Sequence, residues 1–91
     1  MNTLAIEHGI RQGVVVLVNR RRYIAVVYVL NEGHVVFDWV RGIGPKANDQ
    51  IEGSLDRCGE TRLRIDGSGE ELNGYVHLVR CSWSDAQLYT R

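Results

Sequence analysis

An α+β fold is predicted: an antiparallel sheet of about five strands, β-β-β-α-β-β, with one helix packed on a face. Three observations predict it. Val14-Val15-Val16-Leu17-Val18 and Tyr23-Ile24-Ala25-Val26-Val27-Tyr28-Val29-Leu30 are rich in β-branched and aromatic residues and short enough to be strands. Ala47, Ile51, Leu55 and Cys58 recur at i, i+4, i+8 and i+11, a narrow helical stripe. Glycine, asparagine and aspartate punctuate the chain where such segments end.

The elements follow in order. Leu4, Ile6, His8 and Ile10 alternate, but Thr3 can cap a short helix ending at Gly9 or Gly13, so a short helix or irregular arm is expected there. Strand one spans about 14–19 and strand two about 22–30, joined by a basic turn, Asn19-Arg20-Arg21-Arg22. Asn31-Glu32-Gly33 suits a hairpin loop with glycine in a left-handed position. Strand three, about 34–41, sets Val35, Phe37 and Trp39 on a core face against a mixed face of His34, Val36, Asp38 and Val40. Arg41-Gly42-Ile43-Gly44-Pro45 ends the sheet. Asp49-Gln50-Ile51-Glu52 then matches a capping box and Gly59 a helix stop, with Gly53 costing about 0.5–1 kcal/mol against alanine. Arg62-Leu63-Arg64-Ile65 reads as an edge strand and residues 74–81 as a final strand. The tail from Trp83 to Tyr89 adds a last strand or packs its aromatics on the surface.

Strands one and two are apolar on both faces, so they need two covers. One helix supplies one. The other is a second copy of the chain, giving the expected homodimer, or closure of the chain into a small barrel or two-layer fold.

Composition bounds the function. The 91 residues make one small domain, 1–91, with zero net charge. No basic-then-apolar leader and no membrane-length apolar run is present, and two cysteines build no disulfide framework, so a cytoplasmic protein with reduced thiols is expected. Residues 1–46 carry net +3 and residues 47–91 net −3, an asymmetry that folding can interleave away. Ten arginines to one lysine suggest a GC-rich, bacterial or phage genome.

No catalytic or metal motif stands out, and no cofactor is expected. His8, His34 and His77 have no ligand spacing, and His34 and Asp38 lie roughly 13 Å apart along one strand. Cys58 on the helical stripe and Cys81 at a strand end read as core residues. The Arg41–Lys46 segment has the setting of an anion nest but not the spacing of a P-loop. The expected function is therefore that of a small non-catalytic protein-binding module, an inhibitor or accessory factor, whose contacts are Arg20, Arg21, Arg22, Tyr23, Trp83 and Tyr89. These are residue types enriched at binding hot spots. The alternative is a nucleic-acid-binding module using the Arg20–Arg22 turn and nearby aromatics, against which the zero net charge counts.

Overall fold

A computed structural model describes residues 10–91. Six antiparallel strands, β1 (Ile10–Asn19), β2 (Ile24–Val29), β3 (Gly33–Trp39), β4 (Gln50–Ser54), β5 (Gly59–Ile65) and β6 (Glu71–Cys81), precede one helix, α1 (Trp83–Tyr89). The strands close into a barrel in the order β1-β2-β3-β6-β5-β4. Two long strands make closure possible. The first half of β1 pairs with β4 and its second half with β2, with Val14 opposite both Gln50 and Tyr28. The eleven residues of β6 likewise serve β3 and β5.

Side chains fill the interior, as a barrel of this size requires. Val15, Ala25, Val27, Val35, Phe37, Ile51, Leu55, Leu63 and Val76 converge there. Trp39 closes one end, its ring lying over the loop after β3. Gly44 has φ +77°, and a Cβ there would sit 2.2 Å from the Trp39 ring, so only glycine permits that packing.

The predicted open sheet of about five strands with a packed central helix is not what forms. The segment expected to be that helix is β4. Ile51 and Leu55 are buried in the barrel, whereas Ala47 and Cys58, the other members of the supposed stripe, are exposed. A spacing of four suits a helix turn, but it is also an even number and keeps both residues on one side of a strand. Gly53 between them is the residue that suits the strand. A Cβ there would lie 2.5 Å from Leu63 Cδ2 and 3.0 Å from the Arg62 carbonyl oxygen, so its absence lets β5 approach. Asp49 caps no helix; its carboxylate accepts from the backbone N–H of Lys46 at 2.8 Å and closes a turn.

Two smaller expectations change with closure. Residues 62–65 form no edge, because β5 lies between β6 and β4. The tail is helical and forms no strand, while its aromatics pack on the barrel wall, Trp83 on His34 and Tyr89 on His77. Ser82-Trp83-Ser84-Asp85 carries the signal: Ser82 Oγ accepts from the Asp85 N–H at 3.0 Å. The expected N-terminal helix or arm falls mainly on residues 1–9 and lies outside the described residues, while Ile10–Gln12 belong to β1. Among the described residues, no helix is long and apolar enough to cross a membrane.

Both covers demanded by β2 come from this chain. Ala25, Val27 and Val29 face the barrel interior. Ile24 and Val26 face outward and lie beneath α1, with Val36 and the fully buried Ala86. The charge asymmetry between the two halves also folds away. The basic Arg20–Arg22 turn, the loop carrying Arg41 and Lys46, and the acidic loop carrying Asp66 and Glu70 all leave the same end of the barrel.

Candidate protein-binding face

The helix α1 has only seven residues, far too few to be stable alone. The barrel wall holds it at three points. Ala86 sits at the centre on Ile24, Val26 and Val36, with Leu17, Leu78 and Cys81 around them. At its start Trp83 packs on His34 with ring centroids 5.3 Å apart, and His34 packs in turn on Tyr28 at 5.2 Å. At its end Tyr89 packs on His77 at 5.5 Å, with Tyr75 on the other side of His77 at 5.0 Å.

Hydrogen bonds complete that last contact. Asp38 Oδ2 lies 2.9 Å from His77 Nε2, and the Tyr89 hydroxyl lies 3.2 Å from His77 Nδ1. With Asp38 ionised, Nε2–H donates to the carboxylate and Nδ1 accepts from the tyrosine. A β6 register shift contributes: His77 is an extra residue between the pairs Val36↔Leu78 and Phe37↔Val76. Asp, His and Tyr in this order resemble a proton relay, but they lie on the open barrel wall. Their structural effect is to hold the last turn of α1. Two further bonds act there: Asn19 Nδ2 donates to the Thr90 carbonyl at 2.8 Å, and Arg22 donates to the Tyr89 carbonyl at 3.0 Å. Tyr89→Phe should therefore cost about 0.5–1.5 kcal/mol in urea unfolding and speed amide exchange at residues 86–90. Unchanged exchange there would remove this tether from the account.

Beside the helix, no element among the described residues covers the outer wall of β1. The β1–β2 register shifts between Val15 and Leu17, so Val16 is an extra residue in the ladder. Val14 is 36% exposed opposite Tyr28, and Val16 is 40% exposed next to the half-buried Leu17. On the outer side of α1, Leu88 is 60% exposed. Between Leu17 and Leu88 runs an open groove of about 1010 Å³, with Arg20, Arg21 and Arg91 among its lining. Tyr28, Val14 and Val16 thus leave apolar surface exposed on the β1–β2 wall, and Leu88 does so on the helix across the groove.

The six residues predicted as contacts have different fates. Arg20 turns to the loop after β3, donating to the Pro45 carbonyl at 2.8 Å and to the Ile43 carbonyl. That corrects the anion-nest reading, since the loop presents carbonyl oxygens to a guanidinium. Arg22 is spent on the end of α1, whereas Arg21 makes no side-chain hydrogen bond or ion pair among the described residues. Arg20, Arg21, Arg22 and Tyr89 thus gather around one end of α1. Tyr23 lies with Trp39 at 5.4 Å in a separate depression, and Trp83 is at the other end of the helix. The sequence reading missed Val14 and Val16 as exposed groups and Leu88 altogether. A bulge has no one-strand signature, although Ser82-x-x-Asp85 offered a sign of the helix.

Both cysteines are free. Cys58 is exposed, against its expected place in the core, and its thiol donates to the His77 carbonyl at 3.3 Å. Cys81 donates to the His34 carbonyl at 3.3 Å; burial and then the nearby Asp85 push its thiol above the usual range. A disulfide reagent at pH 8 should therefore consume Cys58 first, with Cys81 slower by about tenfold or more. Equal rates in Cys58→Ser and Cys81→Ser would contradict it. Among the described residues, no group of three histidine, cysteine or carboxylate side chains converges to hold a metal.

Compared with protein-family models, curated proteins and solved structures, the chain matches none, so the reading of this face rests on its own residues.

Proposed function

We propose that this chain is a small non-catalytic protein-binding module, an inhibitor or accessory factor that occupies a surface of a larger cytoplasmic protein. One observation carries the reading. The outer wall of β2 and β3 is covered by a helix tethered at both ends, while Val14, Val16 and Leu88 beside it remain exposed. Exposed apolar side chains gathered on one side of a small domain commonly mark a partner site. Tethering α1 also lowers the ordering cost of binding.

The nucleic-acid alternative has less support. Two of the three turn arginines are engaged by backbone carbonyls, and an acidic loop leaves the same barrel end. It predicts oligonucleotide binding that weakens steeply with salt and with Arg21→Ala.

A photo-crosslinking residue tests the protein-binding reading. Placed at Val16 in the source cell, it should yield an adduct of defined mass that Val14→Asp abolishes. Placed at the exposed Asn73 on β6, across the ring from β1, it should yield none. Equal adducts from both positions, or none from Val16, would overturn the reading. An adduct of two-chain mass, matched in sedimentation and lost in Val14→Asp, would identify a second copy as the partner, the homodimer expected from the sequence.

A further inference from the structure

The groove between β1 and α1 narrows the partner's chemistry, if the protein-binding reading holds. We propose that it receives an acidic, aliphatic-rich segment of the partner protein, with a branched side chain against Leu17 and Leu88 and carboxylates against Arg21 and Arg91.

Charge is the first argument. Among the described residues, the side chains of Arg20, Arg21 and Arg91 border the groove against one acidic side chain, Asp85. The side chains of Arg21 and Arg91 have no hydrogen-bond or ion-pair partner among the described residues, so they are available to an incoming anion. Arg20 keeps its charge while donating to carbonyl groups, and adds to the positive potential. A basic segment would meet like charge here, which disfavours it beyond any loss of contacts.

The lining supplies the second argument. Its large apolar side chains are aliphatic, and no aromatic residue borders it. Single-stranded nucleic acid binds by stacking its bases on aromatic rings as well as by phosphate contacts, and this groove offers no ring. The exposed aromatic rings lie elsewhere, at Tyr23, Tyr28, Tyr75, Trp83 and Tyr89. An aliphatic side chain gains by removing the Leu17 and Leu88 surfaces from water. A volume of about 1010 Å³ exceeds what one side chain fills and suits a short stretch of chain. Ser84 and Gln87 on the helix side offer hydrogen bonds to the backbone of that stretch.

Fluorescence anisotropy with the full chain and four labelled probes tests this. Three are peptides of about a dozen residues sharing one pattern: leucine with glutamate, leucine with lysine, and serine with glutamate. The fourth is an oligothymidylate of similar length. The leucine–glutamate peptide should saturate at micromolar protein, with the other three weaker by at least about tenfold. Arg21→Glu combined with Arg91→Glu, and separately Leu88→Asp, should each weaken it by about tenfold or more. All these positions are exposed, and unchanged circular dichroism confirms the fold. The proposal is overturned if the leucine–lysine peptide or the oligonucleotide binds as well. It is equally overturned if the variants change nothing, or if no saturation occurs up to about 1 mM. Adducts from Val16 that persist while the peptide fails would remove the groove assignment alone. Loss of both would remove the protein-binding reading too.

Discussion

Ala86→Asp should release α1 from the barrel, costing about 3 kcal/mol or more, because it forces an unpaired charge into a fully buried seat on Ile24, Val26 and Val36. A domain of this size has only about 5–14 kcal/mol to lose, and each kcal/mol moves its midpoint by about 4–8 °C. The expected melting temperature is therefore lower by about 12 °C or more. Two readouts separate release of the helix from general unfolding. Amide exchange should accelerate first in residues 83–90, and a dye for exposed apolar surface should bind while the strand signal persists. Cross-linking from Val16 should then fail, because α1 forms one side of the binding face. A midpoint within about 2 °C of the parent would mean that Ala86 is not seated as described.

Gly53→Ala should destabilise the protein by about 1–3 kcal/mol, the usual range for overpacking a filled core. The sign of this effect separates the two folds that the sequence allows. In a helix over residues 50–58, alanine would stabilise by about 0.5–1 kcal/mol, because glycine there pays a conformational cost. In the barrel the new methyl group lies 2.5 Å from Leu63 Cδ2 and 3.0 Å from the Arg62 carbonyl oxygen. Leu63 is completely buried, so its side chain has little room to yield. Urea unfolding of Gly53→Ala and Gly53→Val decides the matter, with valine expected to be worse. A stabilised alanine variant would return the segment to the helix.

The first three strands were legible because their patterns exclude helix. Val35, Phe37 and Trp39 alternate with His34, Val36 and Asp38, and that order has one sensible period. Likewise the need to cover β2 twice was visible in its composition, although which element would do so was not. The region 47–58 misled because Ile51 and Leu55 satisfy two periods at once, and the two residues that would break the tie, Ala47 and Cys58, are tolerant of exposure. Of the candidate contacts, the arginine turn could be located, but not the carbonyls that engage Arg20 and Arg22. Those acceptors lie 23 to 69 residues along the chain. The same distance in sequence hid the Asp38–His77 pair, 39 residues apart. Along its own strand Asp38 has only His34 within reach of a sequence argument, and pairing there is geometrically barred.

By itself the sequence determined the local terms: five of the six strand positions, the left-handed Gly33 in the hairpin loop, and apolar strands that could not stand open to water. Tertiary structure alone decided that the sheet closes, that residues 50–54 extend, and that the helix forms in the tail. It also decided which apolar residues stay outside. The reason is physical. Periodicity and turn chemistry act over a few residues and leave a mark in the letters that carry them. Closure, bulges and cross-barrel hydrogen bonds depend on which backbones meet, and that is settled only when distant strands compete for the same partners.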